Sequence, residues 1–254
     1  GIIMNEQIPE QNVLSEEEQI ASVLEHLPSE VCTEVEVPSR GIPYFGEEGG
    51  PVSIRPLTFD DEKALSTGGR AKDFNPANFL LGRCVQNIDV NDVVLIDKLH
   101  LLLKIREISY GKDYKVGVVC SHCTSENTLD LQIDQLPIKQ VPEDLNFEAR
   151  VIKLPSIKKE AIVSTLRVRN ERLVEIDKIS GNLWRFIKKI GDVTSPGTIA
   201  KIVDKLPISD VHTIVKEISL SDYGVQPHVM YKCDSCGTAN KIGLPLDENF
   251  FSVN

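Results

Sequence analysis

Two short stretches carry the residue types and spacing needed for sulfur chemistry. Residues 118–131 read VVCSHCTSENTLDL, which puts Cys120 and Cys123 in a C-x-x-C turn ahead of an alternating apolar pattern. Residues 229–246 read VMYKCDSCGTANKIGLPL and repeat the arrangement with Cys233 and Cys236. At a constant offset of 113 the stretches register without a gap: Asn127 falls on Asn240, Leu129 on Ile242, Leu131 on Leu244 and Ile133 on Leu246. Upstream, Arg-Glu-Ile-Ser at 106–109 echoes Lys-Glu-Ile-Ser at 216–219 at an offset of 110. Val-Pro-Ser at 37–39 faintly echoes Leu-Pro-Ser at 154–156. This self-similarity reads as a duplicated unit of helix, strand, C-x-x-C turn and strand.

A C-x-x-C turn points two sulfurs at one spot with backbone N–H groups behind them. Two such turns supply the four thiolates of a tetrahedral structural zinc site, so Cys120, Cys123, Cys233 and Cys236 are the expected ligands of one zinc per chain. Metal capture of this kind is worth on the order of 10 kcal/mol in zinc-finger peptides, as much as the folding stability of a typical domain. The unusual element is the spacing, because 109 residues separate Cys123 from Cys233, where ordinary ribbons use about 15–20. Other readings compete. A thioredoxin-like redox pair needs a C-x-x-C opening a helix in a βαβ unit, and neither stretch has that context. Metal-free reduced thiols left from an ancestral site are a second possibility. Disulfides are the weakest, since cytosolic synthesis is the default for this sequence. His122 lies inside the first turn but faces Ser235 in the repeat, which argues against a ligand role. Cys84 reads as a small core residue, and Cys32 has no partner in the pattern.

Composition narrows the function. A chain of 254 residues can bury a sizeable core in one large domain or two ordinary ones. The net charge of −10, with no run of five basic residues, disfavours direct nucleic-acid binding. The longest apolar runs, such as LHLLL at 99–103, are too short to span a bilayer, and no secretory-type leader is evident. No Ser/His/Asp or Cys/His arrangement, phosphate loop, HExxH or dinucleotide-binding glycine pattern occurs. His26, His100, His122, His212 and His228 are scattered, and His100 and His212 sit in apolar helices as core or rim residues. GEEGG at 46–50 reads as a solvated acidic turn. No catalytic residue is assigned, and the expectation is a non-enzyme.

The elements that must position the cysteines are α+β in pattern. Ser15 and Glu18 form a capping box for an N-terminal helix with an apolar stripe of Ile20, Val23, Leu24 and Leu27, ended by Pro28. That stripe is expected to pack on the core, the alternative being a partner. Val35, Val37, Val52 and Ile54 suggest a loose hairpin with its tip at 47–50. Thr58 caps a short helix with Asp61 reaching back, and Asn75 caps another that starts at Pro76. The helix at about 95–108 is apolar over most of its circumference and is therefore central. Residues 154–191 read as a long helical pattern with Gly181 and Gly191 as stops, followed by two short helices divided by Pro207. The last forty residues are strand-like. The domain reading is an N-terminal amphipathic helical extension at 1–30, a first half at 31–138 and a second half at 139–254. The second half holds a helical insertion and the second cysteine turn, and a zinc-ribbon-like four-cysteine site joins the halves.

The order of VPSRGIPY, VSIRPLTFDDEKAL, LLLKIREISYG and VVCSHC followed by LDLQID resembles the baseplate hub and hub-assembly proteins of T-even-type contractile-tailed phages. The match covers roughly residues 33–138. The motif residues carried over are Pro38, Ser39, Gly41, Tyr44, Arg55, Pro56, Glu62, Lys63, Cys120 and Cys123, with no catalytic residue among them. The resemblance implies a structural or scaffolding role at the tail baseplate hub, located in the virion, in the host cytoplasm during assembly, or both, with other hub proteins as partners. Tyr44, Phe45, Phe250 and Phe251 are the candidate partner-binding anchors, with local core as their competing role. Two other functions stay open. One is a zinc-ribbon adaptor for host machinery or nucleic acid, and the other is a redox protein using the C-x-x-C pairs.

Overall fold

The computed structural model describes residues 14–25, 27, 31–68, 74–173, 181–244 and 250. It is α+β, with short antiparallel sheets and helices alternating along the chain. Helix α1 (Glu16–Val23) begins at the expected capping box, with Ser15 and Glu18 bonded reciprocally. Its stripe does not pack on the core: Ile20, Val23 and Leu24 are 50, 82 and 39% exposed. Amphipathic spacing sets a helix's apolar face but not what covers it.

Strands β1 (Thr33–Val35) and β2 (Val52–Ile54) pair as the alternation of valines predicts. Their connection is longer than a hairpin turn and contains α2 (Ile42–Phe45). Gly41 takes φ 72°, and a Cβ there would lie 2.0 Å from the Gly50 carbonyl oxygen, so only glycine lets the two ends of this loop touch. Helices α3 (Phe59–Gly68) and α4 (Pro76–Cys84) start at the Thr58–Asp61 and Asn75 caps. After α4, Val85 bridges to Ile54 and adds a third extended segment to the sheet. Helix α5 (Leu95–Tyr110) is central as expected, burying Leu101, Leu102, Leu103 and Ile105 at about 1.5–3 kcal/mol per side chain.

The β3 (Asp113–Val119) and β4 (Glu126–Gln132) ribbon carries the first cysteine turn at its tip. Strand β5 (Ile138–Lys139) later pairs with β9 (Gly224–Val225), tying the middle of the chain to its last part.

Within 154–191 the described residues form strands rather than the long helix read there, so the segment between the cysteine turns carries a sheet as well as helices. Strands β6 (Arg150–Lys153), β7 (Glu160–Val163) and β8 (Ile187–Ile190) form a three-stranded antiparallel sheet there. Pro155 and Lys158, at φ 56°, make a tight turn between β6 and β7, while Ala161 and Val163 alternate inward with period two. Spacing of 161, 162 and 166 suits a helix as well as a strand, and cross-strand pairing decides the outcome. Helices α6 (Pro196–Val203) and α7 (Ile208–Ser219) lie on either side of Pro207, as read. The ribbon of β10 (His228–Lys232) and β11 (Ala239–Gly243) carries the second cysteine turn.

The β1–β2 and β6–β7–β8 sheets hold equivalent anchors. Ser39, in the turn after β1, donates its backbone N–H to the buried Asp97 at 2.9 Å, near the start of α5. Ser156, in the turn after β6, donates its N–H to the buried Asp210 at 2.7 Å, near the start of α7. Asp97 and Asp210 are themselves 113 residues apart, the offset of the cysteine turns. The faint Pro-Ser echo therefore marks a recurring turn-to-helix clamp. One apolar core lies under β1, β2, α4 and α5 and takes in Val225, Leu244 and Phe250 from the end of the chain. A second lies between β6–β8 and α6–α7.

Candidate metal centre

Each cysteine turn is built by the same backbone bonds. Cys120 N–H donates to the Ser125 carbonyl at 2.9 Å and Thr124 N–H to the Cys120 carbonyl at 3.0 Å. In the second turn, Cys233 N–H donates to Thr238 at 3.0 Å and Gly237 N–H to Cys233 at 2.8 Å. Closing the loop needs a left-handed residue, supplied by Thr124 at φ 60° and by Gly237 at φ 71°.

The ribbons bring the turns face to face, with the four Sγ atoms all within 4.8 Å of one another. Cys120 and Cys236 are 3.8 Å apart and Cys123 and Cys233 are 3.6 Å apart at sulfur, far beyond a disulfide bond of about 2.05 Å. A tetrahedron with metal–sulfur bonds of about 2.3 Å has sulfur–sulfur edges of about 3.8 Å. These four residues therefore fit a tetrahedral thiolate metal site and could hold one ion. Both C-x-x-C turns join two strands and neither opens a helix, unlike a thioredoxin-type redox pair.

Reading the sequence brought the four cysteines together but missed the residues that orient them. Asn127 and Asn240 are 6 and 5% exposed, and each reaches across to the opposite turn. Asn127 Nδ2 donates to Cys233 Sγ at 3.6 Å, and its Oδ1 accepts from Asp234 N–H at 2.8 Å. Asn240 Nδ2 donates to Cys120 Sγ at 3.5 Å, and its Oδ1 accepts from Ser121 N–H at 3.2 Å. Each amide also donates back to its own turn, at Ser125 and Thr238. The signal was present as an asparagine at matched positions of the repeat, in register with apolar neighbours. Ser125 adds a hydroxyl 3.0 Å from Cys123 Sγ and 3.1 Å from Cys233 Sγ, and Thr238 lies 3.3 Å from Cys236 Sγ.

These donors favour thiolate. Ser125, the Cys236 N–H and the Asn127 amide lower the Cys233 pKa to about 5 in spite of burial. The N–H groups of Cys123 and His122, with Asn240, lower that of Cys120. At Cys123 the Ser125 bonds also pull downward, but burial and the neighbouring Cys236 and Cys233 sulfurs push it above its ordinary value. A metal binds these cysteines as thiolates, so donors that favour the thiolate at Cys233 and Cys120 suit a bound cation. His122 is exposed at the rim and Cys32 lies on the surface. Cys84, the last residue of α4, is fully buried, and burial pushes its thiol up to about 12, in keeping with a core role.

The four aromatic anchors fare differently. Phe250 is not a surface residue: it is completely buried, with its ring 5.1 Å from Tyr114 and the Arg106 guanidinium 5.3 Å from its centroid. Tyr44 is half-buried, donating its hydroxyl to Asp97 at 2.7 Å and accepting from Val94 N–H at 3.0 Å. Phe45 is 39% exposed and remains available. Phe251 lies outside the described residues.

Four of the other motif residues, Ser39, Gly41, Tyr44 and Arg55, contribute to two polar centres built around the buried Asp97 and Asp61. Ser39, Gly41 and Tyr44 converge on Asp97, with Gly41 N–H donating to Ser39 Oγ at 3.2 Å. Arg55 binds the buried Asp61 with both terminal nitrogens at 2.7 and 3.1 Å, and Arg83 Nε adds a third bond at 2.7 Å. Asp61 is the member that the sequence showed only as a cap.

A family model described as T4 bacteriophage base plate protein matches residues 32–252, which include all the described strands and all four clustered cysteines. No curated protein and no solved structure matches the chain.

Proposed function

The chain belongs to the T4 bacteriophage base plate protein family, and on that premise we propose that it is a non-enzymatic structural or assembly component of the baseplate hub. It acts through protein–protein contacts, with one zinc ion held by Cys120, Cys123, Cys233 and Cys236. The family implies phage baseplate proteins as partners and the virion tail baseplate as the location, and assembly would pass through the host cytoplasm. The family match over both halves of the chain carries this reading. No helix among the described residues is long and apolar enough to cross a membrane.

The zinc supplies structure in this reading. Four thiolates leave no open coordination position for substrate, and Asn127 and Asn240 use their amides to fix the sulfurs. The ion would link two ribbons whose cysteine turns lie more than a hundred residues apart in sequence, and so hold the two halves in one arrangement. Release of the ion would cost on the order of 10 kcal/mol in fully metal-dependent zinc peptides. The cost is expected to be smaller here, because two apolar cores persist.

Quantitative peptide mass spectrometry of mature virions and of baseplate intermediates from infected cells tests the role. A fixed copy number in virions marks a permanent hub component, and presence only in intermediates marks an assembly factor. Absence from both overturns the proposal. Elemental analysis of the purified chain should give about one zinc per chain, with a lower Tm after chelation. No metal and four freely titrating thiols would overturn the zinc assignment.

A further inference from the structure

Charge is divided unevenly along the chain. Residues 1–39 hold nine Glu and no Lys, Arg or Asp, whereas residues 150–216 hold 14 Lys and Arg against seven Asp and Glu, in a chain of net charge −10. The basic stretch folds into β6–β7–β8, α6 and α7. On the solvent face of its sheet, Val151, Ile162 and Lys189 stand in one cross-strand row, with Lys153 opposite Glu160 in the same β6–β7 pairing. Val151 is 65% exposed there. The turn from β6 to β7 adds the exposed Lys158 and Lys159, and Lys188 is exposed on β8. Among the described residues none of these five lysines forms an ion pair.

Helix α1 has the complementary character. Ile20, Val23 and Leu24 fall at i, i+3 and i+4 on one face and are exposed among the described residues. Glu16, Glu17 and Glu25 flank them, all exposed. The helix precedes residue 32, where the family match begins, so it is an addition to the matched unit. An apolar stripe edged with carboxylates and an apolar row edged with unpaired ammonium groups are each incomplete alone.

We propose that α1 of one copy docks on the outer face of the β6–β7–β8 sheet of a second copy. Ile20, Val23 and Leu24 cover Val151 and Ile162, and the glutamates face Lys153, Lys158, Lys159 and Lys189. The contact is heterologous, helix to sheet, so successive copies either close into a ring or extend as a chain. Its size puts it in the weak class of interfaces, with a Kd on the order of 10 µM, and charge makes it sensitive to salt.

The test is sedimentation velocity of the full chain up to about 100 µM, roughly tenfold above that Kd, at low and high salt. Glu16→Lys/Glu17→Lys reverses the helix and leaves the Ser15–Glu18 capping box intact, and Lys153→Glu/Lys189→Glu reverses the sheet. Each variant is expected to weaken self-association tenfold or more. Mixing the two variants, or combining the four substitutions in one chain, is expected to restore it. A wild-type chain that stays monomeric throughout overturns the proposal, as does association unmoved by either reversal. Salt-sensitive binding of a short DNA duplex by a monomeric wild type, lost on Lys153→Glu/Lys189→Glu, would reassign the lysine face to nucleic acid.

Discussion

Asn127 and Asn240, 113 residues apart, hold each other's cysteine turn: Asn127 accepts the Asp234 N–H at 2.8 Å while Asn240 accepts the Ser121 N–H at 3.2 Å. Asp234 and Ser121 are themselves equivalent in the repeat, so the relationship is a two-fold one. It couples a buried side chain of each ribbon to the backbone of the other. These bonds help to hold the four sulfurs at the spacing a metal site needs.

Replacing either asparagine by alanine should therefore weaken both folding and metal retention. A buried N–H loses its acceptor and a thiolate loses a donor, which costs about 1–3 kcal/mol in stability for each variant. Metal affinity should fall about 10–100-fold, as for other residues that orient ligands. The double variant should cost less than the sum, because the two amides support one arrangement. Urea unfolding of the metal-loaded and chelated chain, with competition against a chromogenic chelator, measures both quantities. Full metal affinity in Asn127→Ala would show that the amides are incidental.

Asp97 predicts a pH dependence. Burial raises its pKa to about 6, even though Ser39 and Tyr44 donate hydrogen bonds to the carboxylate. An acid whose folded pKa lies above its unfolded value of about 3.9 favours the folded state most when protonated. Its contribution is complete below that unfolded pKa and is lost as pH rises through 6, on the order of 3 kcal/mol in all. Asp97→Asn should flatten the urea midpoint between about pH 4 and 6 relative to wild type, while Asp97→Ala should destabilise at every pH. An unchanged slope in Asp97→Asn would place the titration elsewhere.

The opposite sign holds at Asp61. Burial alone would raise its pKa, but bonds from Arg55, the Thr58 N–H and Arg83 outweigh burial and hold it well below the ordinary carboxylate range. Its contribution is present above the unfolded pKa and lost as pH falls below it. Asp61→Ala leaves the Arg55 guanidinium, 19% exposed, without its carboxylate, and should cost about 3–5 kcal/mol. Arg83→Ala should cost far less, because Arg83 is 39% exposed and Arg55 still satisfies Asp61. Equal losses in thermal unfolding of the two variants would contradict this ranking.

What was legible in the sequence is what local chemistry decides. The Ser15, Thr58 and Asn75 caps, the break at Pro207 and the two cysteine turns each depend on residues within a few positions, and each stands where read. Pairing across the chain was less legible. Strand β7 is held by Ile187–Ile190, more than twenty residues on, and nothing within 154–166 announces that partner. Asn127 and Asn240 were visible as a matched pair, but their role exists only once the ribbons face each other. Asp61 looked like a cap because its two arginines come from the residue after β2 and from α4.

Phe250 was the least legible, since its local sequence suits a partner anchor as well as a core residue. It is a core residue, packed edge-on against Tyr114 with the Arg106 guanidinium near its face, in the same core as Leu244 and Val225. Phe250→Ala removes that packing and should cost about 3–5 kcal/mol, with a lower unfolding midpoint. Phe250→Leu should recover part of the loss, because the cavity is mostly refilled while the contact with Arg106 is not. If the aromatic were a partner anchor, alanine would leave the midpoint unchanged and weaken only association with baseplate proteins. Denaturation midpoints and pull-down yields measured on the same two variants separate the roles, since a buried ring moves the first and reaches the second only through unfolding.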